Sequence, residues 1–239
     1  MVMMRARQIS FGGIRSDDYG AIVDGAESYA AAERDFTSVA IAGRSGELTV
    51  DNGRYRNVPI PYTLYFPDAR KLEMFRHDVA TLIGYHRLED SSRPEEFMLA
   101  RLSGGFKPTM SGFRNAHGQV KLTFDCQPQR FLKSGERAIP FAGVEVAALY
   151  NPTGMPTRPL IRVYGAGDVG IGAQTLTIAK HTEAYVDIDC ALEDCFCGGI
   201  NLNGVVARAD YPELGAGTTG IRIGSGISAI EITPRWWRQ

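Results

Sequence analysis

The sequence predicts a mainly β protein of two domains: an N-terminal β-rich domain with a single α-helix, and a C-terminal β-sandwich. Three observations carry that prediction. Apolar and polar residues alternate with period two along much of the chain, apolar residues recur at three- and four-residue spacing in one long stretch, and Gly, Pro, Asn and Asp punctuate the alternating runs. At 239 residues there is enough chain for one large β domain or two ordinary ones. The pattern breaks over Gln127-Pro-Gln-Arg-Phe-Leu-Lys-Ser-Gly-Glu136, which places the boundary near Ser134-Gly135 and the domains at 1–134 and 135–239.

The first strands are expected at Ile9 and Phe11, before Gly12-Gly13, and from Tyr19 to Val23. Ala26-Glu-Ser-Tyr-Ala-Ala-Ala-Glu-Arg34 has the composition of a helix but lacks a helical apolar stripe. Val39 and Ile41 fall on one side of an extended run, Leu48 and Val50 on one side of the next, and Arg44-Ser45-Gly46 joins them as a hairpin. Asp51-Asn52-Gly53 supplies residues that tolerate positive φ, so a second turn is expected there, with a further strand running from Tyr55 to Phe66. The helix is expected over 67–84. Leu72, Phe75, Val79, Leu82 and Ile83 share one face, Pro67 and Asp68 suit its start, and Gly84 suits the position past its end. Its polar face, with Arg70 and Arg76, is either solvated or meets a neighbouring subunit. Glu89, Asp90, Glu95 and Glu96 lie among arginines in a polar turn and are expected to be solvated rather than catalytic. Gln119 to Asp125 alternates, with Val120, Leu122 and Phe124 inward.

Beyond the boundary, strands are expected at 144–149, 160–164, 174–180, 185–190, 200–206, 220–223 and 228–233, a spacing that describes a β-sandwich. Gly165-Ala-Gly-Asp-Val-Gly170 is a literal Gly-x-Gly-x-x-Gly after an apolar strand, but Gln174 to Lys180 alternates instead of opening the helix a dinucleotide site requires, so a hairpin turn is expected. Asp187 and Asp189 read as two exposed carboxylates on an outer sheet face rather than a calcium site. Cys126, Cys190, Cys195 and Cys197 lack zinc-knuckle spacing and read as buried reduced thiols. The four histidines have no nucleophile partner, so no enzyme activity, cofactor or metal is expected.

Twenty-six Lys and Arg against 27 Asp and Glu leave a formal charge of -1, which argues against sequence-independent nucleic-acid binding. No run approaches the roughly 20 apolar residues of a membrane helix, and residues 1–8 lack a signal-peptide core, so a soluble chain folded in a cytosol is expected. Trp236-Trp237 stands two residues before Gln239. Adjacent strand residues face opposite ways, so at least one indole is expected in the core, and the pair is also the candidate for stacking on a glycan.

Ala42-Gly-Arg-Ser-Gly-Glu-Leu-Thr-Val-Asp-Asn-Gly-Arg-Tyr55 resembles the N-terminal signature of the distal tail proteins (Dit family) of long-tailed bacteriophages. Gly84 to Phe97, Phe124 to Glu136, Asn151-Pro-Thr153 and Ile230 to Trp237 resemble further segments of that family, in its order. The resemblance implies a ring-forming N-terminal domain followed by a galectin-like sandwich. It also implies a hexameric baseplate hub in the virion tail of a siphovirus or prophage, assembled in the bacterial host cytoplasm. Its expected partners are the tail tube protein, the tail-tip (tail-associated) protein and a receptor-binding protein. Ring or partner contacts are expected from Arg44, Arg54, Tyr55, Arg70 and Arg76. The sandwich turns are short and carry no inserted domain, which argues against a direct adhesion role. The alternative from another class is a carbohydrate-binding module that recognises a host cell-surface glycan.

Overall fold

The structure, a computed structural model, describes residues 7–24 and 30–239. It divides into two compact units, residues 1–130 with Gln239, and residues 131–238.

The first unit is built on a curled antiparallel sheet. Its strand order is Ile14–Arg15, Ile9–Phe11, His86–Asp90, Glu96–Ser103, His117–Leu132, Val58–Phe66, Ile22–Asp24. The two central strands pair in the register Val120↔Leu64, Leu122↔Tyr62 and Phe124↔Ile60. Alternation aims all six side chains into the core, where Leu72, Phe75 and Val79 of the helix Ala69–Ala80 join them. That helix is shorter than the expected 67–84. Asp68 is its N-cap and accepts a hydrogen bond from the Arg70 amide at 2.8 Å. At the other end Thr81 donates its hydroxyl to Asp78 O, and Gly84 takes φ +87°. Leu82 still packs on the core, whereas Ile83 is 89 % exposed.

The hairpin expected between residues 39 and 50 is present as the strands Arg34–Ala40 and Glu47–Tyr55, a two-stranded sheet of its own. The second turn is not. Glu47–Tyr55 runs through Asp51-Asn52-Gly53 without reversing, and the register shifts opposite Arg34 and Phe36. Gly53 takes φ +72° and donates its N–H to the Asp51 carboxylate at 2.9 Å. The positive φ thus makes a bulge rather than a turn. Of the alanine-rich segment, residues 26–29 lie outside the described residues, as do residues 1–6 at the N-terminus. Residues 30–33 have no regular structure, and Arg34 opens a strand.

The second unit is a β-sandwich of a six-stranded sheet (Ile139–Ala142, Ile227–Thr233, Leu160–Gly165, Val186–Asp189, Asp194–Cys197, Ile200–Asn201) and a five-stranded sheet (Val146–Asn151, Gly217–Ile223, Gly167–Ile171, Gln174–Ile178, Val206–Arg208), each in that spatial order. Ile161, Val163, Ile188 and Ile230 from one sheet meet Leu149, Val169, Leu176 and Ile221 from the other in a single core. The expected strand 200–206 is interrupted by a 3-10 turn at Asn203–Val205.

The glycine motif follows from close backbone approach. A Cβ on Gly165 would sit 2.3 Å from the Gly226 carbonyl oxygen, one on Gly167 would sit 2.5 Å from that of Ser225, and strands rather than a helix follow.

Candidate functional site

The Arg34–Ala40/Glu47–Tyr55 hairpin is the feature that its own unit leaves unsatisfied. Cross-strand pairs Val39↔Leu48 and Thr37↔Val50 put one row of side chains on one face, with Ile41 just beyond the strand end. Val39, Ile41, Leu48 and Val50 are between 42 and 47 % exposed, as is Phe36 on the opposite face. An isolated two-stranded hairpin is marginal in water, and contiguous exposed apolar surface of this kind marks an interface.

Polar contacts fix the hairpin's base. Asp35 accepts from Arg54 Nε at 2.7 Å and from Arg56 Nε at 3.0 Å. The Arg54 hydrogen bond first, then that of Arg56, holds its carboxyl below the usual carboxylate range. Arg34 Nε donates to Asp51 at 2.9 Å, and its guanidinium lies 4.9 Å from the centre of the Tyr55 ring. Asn52 Nδ2 donates to Thr37 Oγ1 at 3.0 Å. At the tip, Gly43 and Gly46 take φ +78° and +82°, and the Arg44 amide donates to Ile41 O.

The expected contact residues fall on two elements of the first unit. Arg44 is exposed at the hairpin tip, Arg54 is drawn to Asp35, and Tyr55 lies beneath Arg34. Arg70 is exposed in the first helical turn, and Arg76 pairs with Glu73 at 2.7 Å. The two candidate glycan-stacking residues differ from each other. Trp236 is 4 % exposed in the sandwich core, and Trp237 is half-buried with its indole N–H donated to Pro156 O at 3.0 Å.

Three carboxylates expected in solvent are buried beneath arginines, which corrects the sequence reading. Asp90 accepts from Arg7 Nε at 3.0 Å and from the Tyr62 hydroxyl at 3.0 Å. Asp187 takes a two-pronged contact from Arg162 at 2.7 and 2.8 Å, and Asp189 one from Arg235 at 2.7 Å on both arms. Asp187 and Asp189 are each 4 % exposed because the arginines close over them. Alternation placed Asp187 and Asp189 on an outer face correctly, but it carries no information about an arginine standing opposite on the neighbouring strand, as Arg162 does, or arriving from 46 residues away, as Arg235 does.

Asn151 is a further buried polar residue. Its amide donates to Met155 O, Leu214 O and Gly215 O, and its Oδ1 accepts from the amide and hydroxyl of Thr153. Cys126, Cys190 and Cys195 are buried, and burial pushes the thiols of Cys126 and Cys190 up to about 12. Among the described residues no group of three or more His, Cys, Asp or Glu side chains is placed to hold a metal ion, and no helix is long and apolar enough to cross a membrane.

No family model matches the chain, and no curated protein matches it by sequence. Among solved structures it is similar to the crystal structure of the SPP1 Dit (gp 19.1) protein, described as a paradigm of the hub adsorption apparatus in phages that infect Gram-positive bacteria. The TM-score is 0.68 at 13 % identity, over 95 % of this chain and 98 % of that one. The likeness spans both units, and with the mainly β architecture it shows that this chain has the fold of a phage distal tail (Dit) protein.

Proposed function

We propose that the chain is a structural hub of a long-tailed phage or prophage, in which six copies close into a ring between the tail tube and the tail-tip protein. The observation that carries this reading is the exposed apolar face of the hairpin, Val39, Ile41, Leu48 and Val50. Its fold likeness to the SPP1 hub protein supports it. One copy's hairpin face meets a different surface on the next copy, and a contact of that head-to-tail kind closes under cyclic rotation into a ring with a lumen. Arg44, Arg54 and Tyr55 on the hairpin and Arg70 and Arg76 on the helix are the proposed polar rim of that contact. The ring belongs to the virion tail and is assembled in the bacterial cytoplasm. Its partners are the tube and tip proteins, with a receptor-binding protein on the outer side. The role is mechanical and requires no chemical step.

Light scattering across a concentration series, with electron microscopy of the same sample, tests the reading. A mass of six chains and ring-shaped particles are expected. Leu48→Asp and Val50→Asp should each abolish the ring and leave the melting temperature of the single chain within a few degrees, because both side chains are already half in water. A hexamer that survives both substitutions would move the contact off the hairpin. A monomer that also fails to bind tube and tip proteins would refute the hub reading.

A further inference from the structure

One edge of the sandwich in the second unit is left unprotected. A free strand edge offers a row of unpaired N–H and C=O groups to any other strand, and proteins blunt such edges with proline, charge, a bulge or short length. Three of the four sheet edges here are blunted in those ways. Ile139–Ala142 carries Pro140, Ile200–Asn201 is two residues long, and Val206–Arg208 is three residues long with an arginine at its end. The fourth, Val146–Asn151, is six residues long and reads Val-Ala-Ala-Leu-Tyr-Asn. Among the described residues it pairs only with Gly217–Ile223, without a bulge. Which of its backbone groups are free follows from the bonds around it. The Ile223 amide donates to Glu145 O at 2.9 Å, so residues 145, 147, 149 and 151 turn their peptide groups toward the neighbouring strand. Val146, Ala148 and Tyr150 therefore turn theirs outward. All three residues are exposed, Val146 at 73 % and Tyr150 at 67 %.

The sequence of this edge matches itself. In an antiparallel register centred on Ala148, Val146 faces the second copy's Tyr150, Ala148 faces its own counterpart, and Tyr150 faces the second copy's Val146. All of these residues have outward peptide groups, so each facing pair exchanges two main-chain hydrogen bonds. Valine against tyrosine is a favourable cross-strand pair. Ala147 and Leu149 fall opposite each other on the core side, so the apolar inner face runs on across the junction. Glu145 falls opposite the second copy's Asn151, and no like charges meet. We propose that this edge pairs with the same edge of a second copy and joins two five-stranded sheets side by side. A single strand pair is small beside a standard interface of about 1,600 Å², so the association is reversible and sets in at high chain concentration. The contact is two-fold, uses none of the hairpin, and differs in kind from the head-to-tail contact that closes a ring. It therefore links one ring to another.

Sedimentation equilibrium of the full chain carrying Leu48→Asp and Val50→Asp tests it, since those changes keep the hairpin contact out of the measurement. The mass is expected to double as the chain concentration rises to about 1 mM. In that background, Val146→Lys with Tyr150→Lys sets like charges opposite each other at both ends of the pairing, and so does Val146→Glu with Tyr150→Glu. Neither variant alone should double in mass. An equal mixture of the two sets opposite charges against each other in the same register and should regain the doubled mass. Ala148→Pro removes an outward N–H and no bond to Gly217–Ile223, and should also prevent doubling. All three positions are exposed, so melting temperatures within a few degrees of the background are expected and show that the variants fold. A mass that stays constant with the edge unsubstituted, a doubling that survives the lysine substitutions or Ala148→Pro, or a mixture that does not double would each overturn the assignment.

Discussion

Asp189 shows how a buried carboxylate becomes a pH-dependent contribution to stability. Burial alone would raise its affinity for a proton. The hydrogen bonds from Arg235, with those from the amides of Leu192 and Ala191, outweigh burial and hold the carboxyl below its ordinary value. A depressed folded-state value means that this stabilisation is fully present above about pH 4 and is lost as pH falls through the folded-state value. Asp189→Asn should therefore destabilise the second unit by about 2 kcal/mol at pH 7. The gap to the unsubstituted chain, read from urea melts at several pH values, should close in acid. At this scale the sequence was legible where a residue's own chemistry decides its environment. Cys126, Cys190 and Cys195 are an example, small apolar-tolerant side chains that are buried as expected, whereas Cys197 is only half-buried. It was not legible where the environment comes from a distant partner. Asp189 and Arg235 lie 46 residues apart, and Asn151 ties down carbonyls 63 and 64 residues away. Nothing local distinguishes such residues from surface polar groups.

Among the elements, the helix was legible in type, but its start was expected at Pro67 and lies at Ala69, because Asp68 caps the helix instead of sitting in its first turn. Asp68→Ala should cost about 1 kcal/mol, seen as a lower urea midpoint with an unchanged slope. The helix end was harder to read because Leu82 continues the apolar spacing although it lies past the last turn, packed on the core from a loop. Asp51-Asn52-Gly53 misled for a related reason. A glycine at positive φ after an Asx residue serves a chain reversal and a strand bulge equally well, and only the partner strand decides between them. Period-two alternation nevertheless placed Val39, Ile41, Leu48 and Val50 on common faces, and those faces carry the hub proposal. What alternation could not show is that this apolar face stays partly exposed, since a buried and an exposed apolar row read alike.

For the whole molecule, the two separate cores make a further expectation. Leu72 and Ile161 are each fully buried, one in each cluster. Leu72→Ala and Ile161→Ala should each cost about 2–5 kcal/mol. Calorimetry is expected to resolve two transitions, with each substitution lowering a different one. A single transition lowered alike by both would show one cooperative unit instead. The mainly β architecture was legible because it rests on patterns repeated over many residues, where a single misread turn changes little. The hairpin's ion-paired base bears on kinetics as well. With Asp35 between Arg54 and Arg56, and Thr37 joined to Asn52, the strand register is set in the lone chain. In the proposed ring, a second copy would meet a hairpin whose register these contacts already favour, and its capture would need little rearrangement. If the hub proposal holds, the expected rate is that of ordinary docking, about 10⁵–10⁷ M⁻¹ s⁻¹, so the number of chains made, rather than the time each takes to rearrange, would set how fast tails are completed.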